Sequence, residues 1–124
     1  MPALKTALLV DDETDVGEPL RDAVNDLGAR IDVVVDLRSA ITCLKRRAYC
    51  GLIINLAIAH DDGMSLLRAL GDEQITVPIV LITADIPDAV RALPVARQIK
   101  LVVAKPIDVS LLASICLGLC GMAT

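Results

Sequence analysis

Five short runs rich in leucine, isoleucine and valine constrain the fold of this chain more than any other feature. They cover residues 6–10, 30–35, 51–55, 78–83 and 100–104. Most are apolar at successive positions rather than at alternate ones, which is typical of strands buried on both faces of a parallel sheet. Parallel strands need crossover connections, so each interval between two runs should contain a helix.

Helical periodicity fills those intervals. One apolar stripe predicts a first helix that ends at a Gly28 C-cap, and a second stripe follows Asp36, placed as an N-cap. A third, short helix is predicted over 64–70 and a last one over about 108–119, whereas Pro94 should end or kink a weak helix over 87–98. The first two stripes consist of Val16, Leu20, Val24 and Leu27, and of Leu37, Ile41 and Leu44.

The alternation of strands and helices predicts one α/β domain over residues 1–124, with a parallel sheet between two layers of helices. The chain is 55% hydrophobic and carries a net charge of −4. That charge argues against nucleic-acid binding, which needs a basic face, and Tyr49, the only aromatic residue, offers no stacking platform. The N-terminus lacks the pattern of a signal peptide and no apolar run is long enough to span a membrane, so we expect a cytoplasmic protein.

The four cysteines show neither the spacing of a metal site nor that of a redox motif. They are Cys43, Cys50, Cys116 and Cys120, and the chain has a single histidine to join them. We expect all four to be reduced and packed as small hydrophobic residues, as is usual in the cytoplasm. The four-residue spacing of Cys116 and Cys120 favours packing on one helix face over a disulfide.

Polar residues follow four of the five predicted strands, at the ends where parallel sheets bind ligands. They are Asp11, Asp12 and Glu13 after the first strand, Asn55 at the end of the third, Thr83 at the end of the fourth and Lys105 after the fifth. The turn after the first strand lacks the glycine motifs that bind dinucleotides or nucleoside triphosphates. Its acids instead suit a hard divalent cation with oxygen ligands.

Four motifs in this order resemble the receiver domain of bacterial two-component response regulators. They are VDDE at 10–13, the Asp62–Gly63 pair, LITA at 81–84 and AKP at 104–106. The resemblance covers nearly the whole chain. It implies a flavodoxin-like, doubly wound sheet of strand order 2-1-3-4-5 with five helices in three layers.

The resemblance also implies a role for each polar position. Asp11 and Asp12 would hold Mg²⁺ together with residue 55 and the backbone carbonyl of Ala57. Thr83, Ala84 and Lys105 would contact the phosphoryl group. The phosphoacceptor is an Asp in this family, and the matching position here is Asn55.

An asparagine cannot accept the phosphoryl group, because its amide oxygen is neutral and weakly nucleophilic. The chain departs from the family elsewhere too, with Ala59 for a usual proline, Val102 for a usual aromatic residue and Pro94 within the fourth helix. Several independent departures favour natural divergence. A deliberate replacement of the acceptor Asp in an otherwise ordinary, phosphoryl-accepting receiver stays open as the alternative.

We therefore expect a phosphorylation-independent receiver that acts as a protein-interaction module in two-component signalling. A metal-dependent hydrolase on this fold would need a nucleophile that the sequence lacks, so we expect no enzyme. The partner would be a histidine kinase, another signalling protein or a second copy, bound through the fourth helix, fifth strand and fifth helix. Residues 109–124 carry no charge, so the last helix either packs into the core or is covered by a partner, for example in a homodimer.

We predict weak Mg²⁺ binding, since a divalent ion about 4 Å from residue 55 loses a negative ligand. The lost attraction is about 2 kcal/mol at the dielectric of water and about 8 kcal/mol at an effective value near 20. The amide oxygen can still coordinate, so the smaller figure is the better guide. Isothermal titration calorimetry should show affinity weaker than micromolar; a micromolar dissociation constant would contradict the prediction.

Overall fold

The computed structural model describes residues 6–11, 14–55, 62–83, 88–104 and 107–120. Five parallel strands form one sheet of order β2-β1-β3-β4-β5, which confirms the predicted flavodoxin-like topology. The predicted strand bounds differ from the observed ones by at most one residue at either end. The strands are β1 (Thr6–Val10), β2 (Arg30–Val34), β3 (Gly51–Asn55), β4 (Ile79–Ile82) and β5 (Ile99–Val103).

The prediction of five helices needs a correction at the fourth. The described residues form four helices of 10 to 13 residues, whereas α4 is one turn of 4 residues followed by a 3-10 turn over Pro94–Gln98. Leu93 has extended backbone angles (φ −79°, ψ 143°) because the ring of Pro94 disfavours a helical conformation before it. The helices are α1 (Thr14–Asp26), α2 (Leu37–Arg46), α3 (Asp62–Asp72), α4 (Asp88–Arg91) and α5 (Val109–Leu119).

Two hydrophobic clusters cover the two faces of the sheet. Leu9 and Ile53 point toward α1 and α5, whereas their neighbours Leu8 and Leu52 point toward α2 and α3. Every residue of β1 and β3 is buried. Burial on both faces explains why these strands are apolar at successive positions.

Two predicted helix ends have the expected caps. Gly28 adopts a left-handed conformation (φ 89°); its N–H donates to the Asn25 carbonyl, and the Ala29 N–H donates to the Val24 carbonyl at 3.1 Å, as in a Schellman motif. The Oδ1 atom of Asp36 accepts from the Ser39 N–H at 2.7 Å. Leu27, the last member of the predicted stripe, is instead exposed, since α1 ends at Asp26.

The prediction that all four cysteines are reduced is wrong for two of them. Cys50 and Cys120 form a disulfide with a Cα–Cα distance of 4.8 Å, although 70 residues separate them in sequence. The sequence could not indicate this pair, because only the fold brings the start of β3 beside the end of α5. Cys43 and Cys116 are free thiols, as expected.

We predict that Gly51→Ala destabilises the protein, because α5 passes too close to the start of β3 for a Cβ atom. A Cβ at residue 51 would lie 2.6 Å from Cδ1 and 3.2 Å from Cβ of Leu119. Rotation of the leucine relieves only the first contact, so we expect a loss of about 1–2 kcal/mol in urea unfolding.

Gly118→Ala is the matched control for that substitution. It lies in α5, where an added Cβ meets nothing within 4 Å, so alanine should be neutral or stabilise by up to about 1 kcal/mol. Equal free energies of unfolding for the two variants would show that Leu119 does not exclude a Cβ atom at residue 51, which contradicts the prediction.

Candidate functional site at the carboxyl edge

The strand register brings three of the predicted site residues to one edge of the sheet. Val10 of β1 pairs with Ile54 of β3, so Asp11 and Asn55 follow at the same level on adjacent strands. Asn55 in turn pairs with Ile82 of β4, and Thr83 follows one residue further on. Adjacent strands lie about 5 Å apart, so Asp11 and Asn55 are close neighbours at the carboxyl edge.

All three residues are buried, although all three are polar. Asp11 is 1%, Asn55 2% and Thr83 9% exposed. Hydrogen bonds continue the ladder past the strand ends: the Asp11 N–H donates to the Val34 carbonyl at 2.9 Å, and the Thr83 N–H donates to the Val103 carbonyl at 3.0 Å. These backbone hydrogen bonds fix the positions of the Asp11 and Thr83 Cα atoms, as the strand pairing does for Asn55.

Alternation along the strands divides the three side chains between the two faces. Asp11 and Asn55 continue the face of Leu9 and Ile53, toward α1 and α5. Thr83 continues the face of Leu81, toward α2 and α3. A group bound at this edge would meet the carboxylate and the amide on one side and the hydroxyl on the other.

The remaining predicted site positions lie outside the described residues. They are the metal ligands Asp12 and Ala57 and the phosphate-contact positions Ala84 and Lys105. Asp11 and Asn55 each supply a side-chain oxygen, the donor type that Mg²⁺ prefers. Within the described ranges, no three histidine, cysteine or acidic side chains come together as a metal cluster.

A model of the response regulator receiver domain matches residues 7–116. The chain belongs to this family. Among curated relatives, it is 30% identical over 89 residues to the C4-dicarboxylate transport transcriptional regulatory protein DctD of Pseudomonas aeruginosa, covering 69% of this chain and 19% of that protein. It is 34% identical over 76 residues to a probable transcriptional regulatory protein, y4xI, of Sinorhizobium fredii, covering 61% of this chain and 33% of that protein. The receiver chain therefore spans a third or less of the length of these two regulators.

Solved receiver structures share the fold at low sequence identity. The receiver domain of the Francisella response regulator 1452 superposes with a TM-score of 0.78 at 19% identity, covering 94% of this chain and 97% of that one. A CheY-like receiver domain from Methylobacillus flagellatus gives a TM-score of 0.71 at 22% identity, covering 94% of this chain and 99% of that one. Within the described part of the receiver, no helix is long and apolar enough to cross a membrane.

A second polar cluster, which the sequence did not predict, surrounds the only aromatic ring. The Tyr49 hydroxyl donates to Oδ2 of Asp32 at 2.6 Å, Nη1 of Arg47 lies 3.6 Å from the same oxygen, and the Arg47 guanidinium lies 5.9 Å from the centre of the ring. Burial and the bond to Asp32 raise the pKa of Tyr49, so it stays a donor. The only sequence feature that could have indicated this cluster is the occurrence of Tyr49 close to Arg46 and Arg47. The cluster is separate from the candidate site, because Tyr49 precedes β3 and the site lies at the carboxyl end of that strand.

We predict that Asn55→Asp destabilises the receiver when no divalent cation is present. The new carboxylate would be buried beside Asp11, and two unit charges about 5 Å apart repel by on the order of 3 kcal/mol at an effective dielectric of 20. Thermal unfolding in a chelator should therefore occur at a lower temperature than for the unsubstituted receiver, and millimolar Mg²⁺ should restore part of the loss.

The control is Asn55→Asp combined with Asp11→Asn, which keeps one carboxylate at the edge. This double variant should unfold near the temperature of the unsubstituted protein and respond less to Mg²⁺. If Asn55→Asp alone does not lower the unfolding temperature in chelator, the carboxylates at residues 11 and 55 do not repel each other and the prediction is wrong.

Proposed function

We propose that this receiver is a phosphorylation-independent protein-interaction module in two-component signal transduction, and not an enzyme. The observation that carries the proposal is Asn55, a buried amide at the end of β3 and level with Asp11. An aspartate there would attack phosphorus and form an acyl phosphate. The amide has no anionic oxygen with which to do so.

The same substitution supports weak Mg²⁺ binding. Asp11 and Asn55 would supply one carboxylate and one amide oxygen to the ion, together with the predicted ligands Asp12 and Ala57. When bound, Mg²⁺ would supply positive charge against phosphoryl oxygens. With one anionic ligand fewer, the site attracts the ion less strongly. Binding of Mg²⁺ together with a phosphoryl group, which the family uses as its signal, should therefore be weak in this receiver.

The proposed partner surface is the side of the sheet formed by α4 and β5, which the shortened α4 leaves open. Leu101 and Val102 of β5 are 43% and 36% exposed, although both are apolar. A cavity of about 390 Å³ lies beside them, lined by Arg91, Lys100 and apolar residues. Of the described residues that line this cavity, two are cations and none is an acid, which favours a protein partner that presents acidic and apolar side chains together.

A homodimer through α5 is the weaker version of the partner proposal. Leu112 and Cys116 of this helix are buried in the core, which supports core packing of α5, the first of the two alternatives that the sequence left open. Leu111 is 52% exposed and is the exposed large apolar residue that α5 offers in the described part of the chain. One such side chain is too little apolar surface for a stable interface.

The alternative proposal is an ordinary receiver whose acceptor Asp was replaced at residue 55. It is favoured by the intact edge geometry, because Asp11 and Thr83 keep positions that match those of the family. On this alternative, restoring the carboxylate should restore phosphorylation at once. On the favoured proposal, the departures at Val102 and Pro94 would leave the output surface unresponsive even if the acceptor were restored.

One incubation tests both proposals. The receiver and its Asn55→Asp variant are mixed with a small phosphodonor and Mg²⁺, and the intact masses are measured. We expect no phosphoryl gain by the unsubstituted chain, and a gain by the variant if the remaining site is functional. Hydrogen exchange of β5 in the phosphorylated variant then separates the proposals, since only an ordinary receiver should change there.

The variant treated with phosphodonor in a chelator is the control for metal-dependent transfer. Phosphoryl gain by the unsubstituted chain would overturn the assignment of residue 55 as the acceptor position. Gain by neither chain would show that the site has diverged beyond residue 55, which agrees with the favoured proposal and contradicts the alternative.

A further inference from the structure

The disulfide between Cys50 and Cys120 lies at the amino edge of the sheet, opposite the candidate site. Cys50 directly precedes β3, and its N–H donates to the Thr6 carbonyl at 2.9 Å. Cys120 caps the end of α5, and its N–H donates to the Cys116 carbonyl at 3.1 Å. The bond therefore joins the central part of the sheet to the last turn of a helix on its surface.

We propose that Cys50 and Cys120 form a reversible thiol–disulfide site that fastens the last turn of α5 to the sheet when oxidised. The proposal does not depend on the proposed function, because it uses no residue of the carboxyl edge. It assigns to this receiver a chemical input other than phosphoryl transfer, namely the thiol–disulfide state of its surroundings.

The two cysteine residues differ in exposure, which gives the exchange a direction. Cys50 is half-buried, whereas Cys120 is 3% exposed. An external thiolate therefore reaches the Cys50 sulfur first, with Cys120 as the leaving group. Because Cys50 is only partly buried, a small thiol can approach the bond from its side.

The reaction balances with a low-molecular-weight thiol such as glutathione. Its thiolate attacks Cys50 Sγ, the Cys50–Cys120 bond breaks, and Cys120 leaves as a thiolate that takes up a proton. A second thiolate attacks the mixed disulfide at the glutathione sulfur, which releases Cys50 and forms oxidised glutathione. Two electrons and two protons are gained by the protein, and the reverse steps re-form the bond.

The other two cysteines are poorly placed to interfere. Cys116 is buried one turn before Cys120, and burial raises its pKa to about 12, so it remains an unreactive thiol. Cys43 packs with the hydrophobic cluster on the opposite face of the sheet. Exchange should therefore involve Cys50 and Cys120 as a pair, without reshuffling to Cys43 or Cys116.

The structural consequence of reduction should be confined to the end of α5. The last turn of this helix has no basic side chain to stabilise its carbonyl groups. Its start is fixed separately, because Oδ1 of Asp108 accepts from the Leu111 N–H at 3.1 Å. Without the disulfide, the last turn is held only by its backbone hydrogen bonds, by the close approach of Leu119 to residue 51 and by packing against the core.

The test equilibrates the unsubstituted receiver in buffers with different ratios of reduced to oxidised glutathione. Alkylation and intact-mass measurement then count the thiols, and hydrogen exchange reports on residues 116–120. We expect the thiol count to rise from two to four in one step as the proportion of reduced glutathione increases. It should return to two when the ratio is reversed. Exchange of the last turn of α5 should be at least about tenfold faster in the reduced protein, with exchange at the start of α5 unchanged.

Two variants assign the effect. Cys43→Ser should keep the paired transition, whereas Cys120→Ser should lose it and show fast exchange of the last turn in every buffer. The proposal is overturned if the disulfide persists in excess reduced glutathione, since the bond is then purely structural. It is also overturned if four thiols persist in oxidised glutathione, or if reduction leaves hydrogen exchange unchanged.

Discussion

The side-by-side pairing of β1 and β3 is the constraint on which the rest of this receiver depends. Both strands are buried along their whole length, so a shift of register would move apolar side chains away from their packing partners at considerable cost. The register that satisfies this burial also sets Asp11 level with Asn55. The candidate site is therefore positioned by the hydrophobic core.

That constraint also explains how far the sequence could predict the structure. Strands such as β3 were found within one residue because burial on both faces leaves a continuous apolar run. The fourth helix was predicted over 87–98 with an interruption at Pro94, and the interruption is confirmed; the lengths of the two pieces depend on packing that the sequence does not show. The Cys50–Cys120 bond and the Tyr49–Asp32 hydrogen bond join residues far apart in the chain, and no local pattern encodes such pairs.

Because residue 55 lies beside Asp11, an asparagine there also affects the stability of the folded receiver. A second carboxylate at this buried position would repel that of Asp11 unless a cation lay between them, and charge is expensive to bury. An amide has nearly the same shape, can donate as well as accept hydrogen bonds, and carries no charge. On the proposed function, an amide in place of the acceptor would remove both the reactivity and the need for a cation, while the strand register of the edge stays the same.

On the proposed function, the receiver needs a surface that a partner can recognise in a single conformational state. The aromatic residue that is usual in the family three positions before Lys105 could exchange between buried and exposed states, which differ greatly in free energy because an aromatic side chain buries a large area. Val102 stands at that position and is 36% exposed, so full burial would add less than about 1.5 kcal/mol. So small a difference favours a fixed surface over a switch. In the described part of the chain α4 is a single turn and Leu101 and Val102 of β5 are exposed, as the proposed phosphorylation-independent module would require.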